Sequence, residues 1–219
     1  MNEATQQAGD RTLSGRAHMP PYLILHDVLS GAVVADLLAY VLAHETKFEP
    51  AEVGGLRKTI DPSTRITGLL RDLGPFAAPV RDLLLARLSD FVAGLRIAQV
   101  MNPDIELQLA AHGDGAFYGR HIDTRTSPDE NTRWIRIISA IYYFHIQPKR
   151  FSGGALRLFA FDRTAAADFV DVEPTHNSLL VFPSWAPHAV QPVQCPTRRF
   201  ADSRFAINCW FRVPAQRAP

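Results

Sequence analysis

Apolar and polar residues follow two different periods along this chain, and the change of period divides it. After Ser30, a residue suited to cap a helix, Val33, Val34, Leu37, Leu38, Val41 and Leu42 recur at the spacing of one helical face. From about Ala77 to Leu95 the pattern returns with Val80, Leu83, Leu84, Leu88, Phe91 and Val92, which predicts a second helix. Tyr22 to Leu25 reads as a short strand after Pro20-Pro21, and Gly54 to Ser63, rich in Gly, Asp and Pro, as a loop. From Glu106 onward, short β-branched and aromatic runs alternate with Gly, Pro and Asp breaks. They predict strands at 105–111, 116–122, 134–145, 155–160, 168–172, 178–182, 188–193 and 203–213. Helices followed by about eight strands predict an α+β fold, a double-stranded β-helix (jelly roll) braced by N-terminal helices. The expected organisation is a flexible polar tail over 1–18 and one domain over 19–219. Helical support occupies about 19–101 of that domain and the jelly-roll core about 102–213.

Composition narrows the class. The chain has 219 residues, enough for one substantial core. Its 23 basic residues nearly balance 22 acidic ones, which gives no electrostatic case for nucleic acid or an anionic membrane. Cys195 and Cys209 form neither a disulfide framework nor a CxxC pattern, as expected in a reducing cytoplasm. Met1 to Ala17 carries no apolar leader, and no later run approaches a membrane span. The expectation is a soluble cytoplasmic protein with neither nucleic-acid nor membrane partners.

The chemistry concentrates in the strand-rich half. In His121-Ile122-Asp123, residues i and i+2 of a strand face the same way, so imidazole and carboxylate converge at a strand end. Two imidazoles and a carboxylate, with coordination positions left open, are the ligand set of non-haem Fe(II) oxygenases. For the second imidazole, His188 is favoured, because it follows the turn-like 183–187 and opens an apolar strand. His112, His145 and His176 lie in loops or at strand ends and read better as surface or structural residues. Arg204 opens a strand that is apolar on both faces, Ala206 and Trp210 on its own side and Phe205, Ile207, Cys209 and Phe211 on the other. A cation buried there is costly unless paired, and the strand has no acid to pair it. A carboxylate ligand held by two parallel hydrogen bonds would fit.

Seven blocks then follow in order between Gly113 and Phe211. They are Tyr118-Gly119-Arg120-His121-Ile122-Asp123, Ser139-Ala140-Ile141-Tyr142-Tyr143, the run from Ser152 to Phe159, Val172-Glu173-Pro174, Leu179-Leu180-Val181-Phe182, His188-Ala189-Val190-Gln191-Pro192 and the run from Arg204 to Trp210. This series resembles the prolyl 4-hydroxylase-like branch of the 2-oxoglutarate/Fe(II) dioxygenases, most densely the oxygen-sensing prolyl hydroxylases. The resemblance implies Fe(II), 2-oxoglutarate and O2, with ascorbate allowed as a reductant. It implies His121, Asp123 and His188 as metal ligands, and Arg204 with the Tyr143 hydroxyl on the distal carboxylate of 2-oxoglutarate. Ser139, on one strand face with Ile141 and Tyr143, would share that pocket, and Leu156 and Trp210 would wall it. The implied reaction is hydroxylation of an unactivated C–H bond, coupled to decarboxylation of 2-oxoglutarate to succinate and CO2. Related halogenases carry a small residue where Asp123 stands, so the aspartate argues for hydroxylation.

Three departures from the family pattern matter. Ala111 stands where some relatives carry a pocket tyrosine, so a hydrogen bond is lost or His112 or Tyr118 supplies it. The loop from Thr124 to Arg133 is longer and more polar than in the oxygen sensors; it is expected to be a lid whose Arg125 and Arg133 meet the substrate. Extra residues near Cys195 to Ser203 make Arg198 and Arg199 nominal rivals of Arg204. The expected partner is a small-molecule or peptide/protein substrate, a prolyl or other amino-acid residue first. The alternatives are a free amino acid or small metabolite and, from another class, a non-catalytic jelly-roll sensor. A cupin-type hydrolase would leave Arg204 and Tyr143 without a role.

Overall fold

The computed structural model describes residues 7–8, 19–54, 59–124, 133–161 and 168–215. The first half supplies β1 (Gln7–Ala8), β2 (Leu23–His26), α1 (Gly31–Ala43), β3 (Glu49–Pro50), β4 (Arg65–Ile66), β5 (Gly68–Leu70), α2 (Ala77–Ala86) and α3 (Leu88–Leu95). The second half supplies β6 (Asp104–His112), β7 (Phe117–His121), β8 (Trp134–Phe144), β9 (Ser152–Gly153), β10 (Leu156–Phe159), β11 (Phe169–Val172), β12 (Ser178–Pro183), β13 (His188–Val190), β14 (Val193–Gln194) and β15 (Arg204–Pro214). An eight-stranded antiparallel sheet runs β1-β2-β12-β8-β15-β6-β5-β3, a five-stranded one runs β11-β10-β13-β7-β4, and β14 pairs with β9. This is the α+β jelly roll that the pattern predicts.

Strand alternation divides the large sheet into two chemically different faces. Ile138, Ala140, Tyr142 and Phe144 of β8 and Phe205, Ile207, Cys209 and Phe211 of β15 face the helix layer, where Leu37, Val41, Leu84 and Phe91 cover them. Phe91 meets Phe211 edge to face at 6.0 Å. The opposite face, with Ile141, Tyr143 and Ala206, packs on Leu156, Leu158 and Val172 of the small sheet and becomes polar towards one end. Helix α1 starts where Ser30 accepts a hydrogen bond from the Val33 N–H at 3.4 Å.

The structure departs from the sequence pattern in several places. The apolar run 77–95 is two helices, broken at Arg87 (φ −104°, ψ 4°), with neither Gly nor Pro marking the break. Besides the expected strand β2, the helical support contributes strands that the pattern does not show: β3 and β5 extend the large sheet and β4 the small one. Within the tail 1–18, Gln7–Ala8 pairs with Leu23 and Ile24, and the rest lies outside the described residues. So does the expected lid, apart from Thr124 and Arg133. Among the described residues, no helix is long and apolar enough to cross a membrane.

Candidate metal centre and cosubstrate pocket

His121 ends β7 and His188 opens β13, and the antiparallel register sets them directly opposite each other. Their ring centroids are 4.1 Å apart. Asp123 lies just past the strand end, its backbone N–H bonded to the Ser184 carbonyl at 2.9 Å. One carboxylate oxygen is 3.7 Å from His121 Nε2 and the other 3.6 Å from His188 Nε2. One ligand atom from each of the three residues lies within 4.8 Å of the others, a group that could hold a metal ion.

Neighbouring groups aim these ligands. His121 Nδ1 is 2.9 Å from the Gly119 carbonyl and His188 Nδ1 2.9 Å from the Ala186 carbonyl. A carbonyl only accepts, so each Nδ1 carries the proton and each Nε2 presents its lone pair to the centre. Burial pushes the His188 imidazole down to about 4, which keeps it neutral, as a ligand must be. For Asp123 burial opposes the charge, but His188 and His121 beside it outweigh that and hold the carboxyl well below its usual range. Ser139 donates to Asp123 Oδ2 at 2.7 Å and sits 2.9 Å from the Ser184 hydroxyl. Its hydroxyl therefore faces the metal carboxylate.

A cavity of about 260 Å³ opens beside the three ligands, with Leu156, Trp210 and Arg204 in its wall. Arg204 is 1% exposed, and its Nε and Nη2 have no hydrogen-bond partner. The Tyr143 hydroxyl is equally buried and unpartnered, with the Tyr143 ring centroid 4.8 Å from the guanidinium carbon. Burial pushes that hydroxyl up to about 12, so it stays protonated and able to donate. Donors without acceptors in an apolar wall are costly. A carboxylate would satisfy all three. Arg198 and Arg199 are no rivals: their side chains are 82% and 74% exposed, the first 3.2 Å from Asp114 and the second 4.0 Å from Asp202. Gly154 makes room for the anchor, since a Cβ there would fall 2.7 Å from Arg204 Cδ.

Of two further residues of this site, the sequence names His112 only as one possible supplier of a pocket hydrogen bond, while Arg65 escapes it. His112 is buried in the pocket, because β6 runs one residue further than the apolar run suggests and carries it onto the face of Gln108 and Ala110. Ala111 faces the helix layer, so the pocket position is His112. Arg204 Nη1 donates to His112 Nδ1 at 3.1 Å, and His112 Nε2 lies 3.3 Å from the Thr67 hydroxyl. Because arginine only donates, His112 is the Nε2–H tautomer. Burial first, then Arg204 and Arg65, keep it neutral. The second residue, Arg65 of β4, lines the cavity with its guanidinium 4.4 Å above the Tyr118 ring, which itself stacks on His121 at 3.6 Å. In contrast, the His145 backbone N–H donates to His176 Nδ1 at 3.3 Å and the two rings meet edge to face at 5.1 Å, and neither residue lines the cavity.

Comparison with known proteins agrees with this geometry. The profile of the 2OG-Fe(II) oxygenase superfamily matches residues 107–212, the span from β6 to β15 that contains the three ligands and Arg204. A protein from Synechocystis described as an uncharacterized PKHD-type hydroxylase is 36% identical over 141 residues, 62% of this chain and 45% of the relative. The chain thus spans less than half the length of that curated relative. A solved Pseudomonas putida prolyl-4-hydroxylase is 27% identical, covering 87% of this chain and 91% of its own at a TM-score of 0.58. A Trichoplax adhaerens prolyl hydroxylase, solved with a hypoxia-inducible-factor peptide, shares the fold at a TM-score of 0.64 with 20% identity, covering 87% and 82% of the two chains. With a triad suited to Fe(II) and a carboxylate site suited to 2-oxoglutarate, the chain resembles the 2OG-Fe(II) oxygenase superfamily over residues 107–212, and the solved structures similar to it include prolyl hydroxylases.

Proposed function

We propose that the protein is a working hydroxylase of an unactivated C–H bond in a prolyl or other amino-acid residue, converting 2-oxoglutarate and O2 to succinate and CO2. The observation that carries this reading is the juxtaposition, across one cavity, of the His121, Asp123 and His188 ligand atoms with the unpartnered Nε/Nη2 edge of Arg204. Bound Fe(II) would supply oxygen activation, with 2-oxoglutarate supplying two of the electrons. The chain's own part is to fix geometry. Arg204 and the Tyr143 hydroxyl hold the distal carboxylate, Ser139 steadies Asp123, and Leu156 and Trp210 keep the wall apolar. The Pseudomonas relative, called a prolyl-4-hydroxylase, supports an amino-acid residue as target. A free amino acid is a second reading, favoured by the small cavity of about 260 Å³.

The test is anaerobic addition of Fe(II) and 2-oxoglutarate, followed by screening for stimulated succinate release. A weak visible charge-transfer band is expected in the wild type and not in His121→Ala or Asp123→Ala. Failure of 2-oxoglutarate to bind the metal-loaded protein would sink the reading.

A further inference from the structure

We propose that the substrate itself presents a carboxylate, and that Arg65 receives it. This rests on the reading of the site as a 2-oxoglutarate oxygenase, and it begins from the charges around the cavity. A divalent metal and dianionic 2-oxoglutarate cancel, and Asp123 and Arg204 cancel. Arg136 is taken by Glu106, whose oxygens lie 2.7 and 3.2 Å from its guanidinium nitrogens. Glu52 and Arg71 are both exposed at the rim. Among the described residues, one positive charge is left over, on Arg65.

Arg65 has no carboxylate within ion-pair distance among the described residues. Its Nε is spent on the Thr67 hydroxyl at 3.3 Å, which leaves the Nη1/Nη2 end as the edge able to grip a carboxylate. The guanidinium is fixed from below by the Tyr118 ring at 4.4 Å, and through that ring by His121. A cation over an aromatic face is attracted to it but not neutralised. Among the described residues, the Tyr118 hydroxyl and the Asp123 carboxylate favour the charge on Arg65, and a metal on Asp123 would divert that carboxylate's share. A half-buried, pre-aimed and unneutralised arginine beside the ligand set is a specificity device for an anion. Arg65 also borders a second, mostly apolar hollow lined by Phe48, Pro50, Ile60 and Ile66, which leaves space for the rest of the molecule. The carboxylate is that of a free amino acid or one carried by a peptide.

The experiment uses full-length protein loaded with Zn(II) and 2-oxoglutarate, and ligand-observed NMR at millimolar probe concentration. The probes are the free L-amino acids, N-acetyl dipeptides ending in each residue, and the primary amide of each. Binding is expected among the acids, with each matched amide at least about tenfold weaker, a difference of about 1.4 kcal/mol. Arg65→Gln should reduce acid binding to the amide level, Arg65→Lys should retain part of it, and Arg71→Gln should change it less than twofold. Free amino acids binding without the dipeptides identifies the small-acid source; the reverse identifies a peptide. Equal binding of acids and amides, undiminished acid binding by Arg65→Gln, or no acid binder at all overturns the proposal. The dissociation constant of 2-oxoglutarate, measured on the same samples, separates these outcomes: its loss in the wild type condemns the oxygenase reading, and its retention confines any failure to Arg65.

Discussion

At the scale of single residues, the pocket depends on donors and acceptors being matched one to one. Arg204 has its Nη1 bonded to His112, so its free edge is Nε/Nη2, one flank of the guanidinium. If Arg204 holds the cosubstrate as proposed, His112 determines which edge of it would meet the carboxylate. His112→Leu removes the acceptor, and because a hydrogen bond to a charged group contributes about 1.5–3 kcal/mol, 2-oxoglutarate should bind about 10- to 100-fold more weakly. His112→Asn, whose amide oxygen can take the place of Nδ1, should recover most of that, with metal affinity unchanged in both. Titration of 2-oxoglutarate into the Zn(II)-loaded variants checks this. A pH dependence follows with a definite sign. Folding holds the His112 imidazole well below its ordinary 6.5, so below that pH the unfolded chain takes up a proton that the folded chain refuses. Its contribution to stability is therefore full above the ordinary value and falls as pH drops below it. Urea unfolding at pH values on either side of 6.5 should show a shallower pH slope in His112→Leu than in the wild type.

At the scale of elements, each strand holds two layers, and this is the part of the fold most legible in the sequence. Alternation in 203–213 and 134–145 correctly places Arg204, Ala206 and Trp210, and Ser139, Ile141 and Tyr143, opposite the residues that carry the helices. The HxD spacing legibly brings His121 and Asp123 together, because period two is a property of the strand itself. What sequence alone did not reveal depends on partners distant in the chain. The strands β3, β4 and β5 are two or three residues long and form by pairing with edges distant in the chain, β5 on β6, β3 on β5 and β4 on β7, so Arg65 carries no local sign of lining a cavity. His112 reads first as surface or structural, and only secondarily as a pocket hydrogen-bonding residue, for want of one residue at a strand end. The helix layer makes its own prediction through Gly94 of α3, where a Cβ would fall 2.7 and 2.8 Å from the Leu23 methyl carbons of β2. Gly94→Ala gains about 1 kcal/mol of helix propensity, yet overpacking against a buried side chain costs about 1–3 kcal/mol. The net effect expected in urea unfolding is a loss, and Leu23→Ala in the same background should relieve it, giving a coupling that neither single change predicts.

At the scale of the whole molecule, the large sheet separates stability from function by face. The helix-side face is apolar and continuous, whereas the pocket face contains a fully buried cation with two unsatisfied donors. Burial pushes the Arg204 guanidinium below its ordinary value, because desolvation disfavours its charge. A fold that retains such a group forgoes stability when empty and recovers it on binding. Arg204→Met, similar in length and without charge, should leave the melting temperature of the ligand-free protein unchanged or higher, since replacing a buried ion by an apolar side chain is often neutral or stabilising. The order should reverse with cosubstrate present. In the Zn(II)-loaded wild type, 2-oxoglutarate at about 100 times its dissociation constant should add about 2.7 kcal/mol, and in Arg204→Met at the same concentration almost nothing. Arg198→Met, exposed and paired with Asp114, should respond to 2-oxoglutarate as the wild type does. Thermal unfolding of the three proteins with and without 2-oxoglutarate decides it. A ligand-free Arg204→Met protein that melts well below wild type would show the arginine to be a structural residue of the sheet, and an undiminished response to 2-oxoglutarate would move the carboxylate site elsewhere.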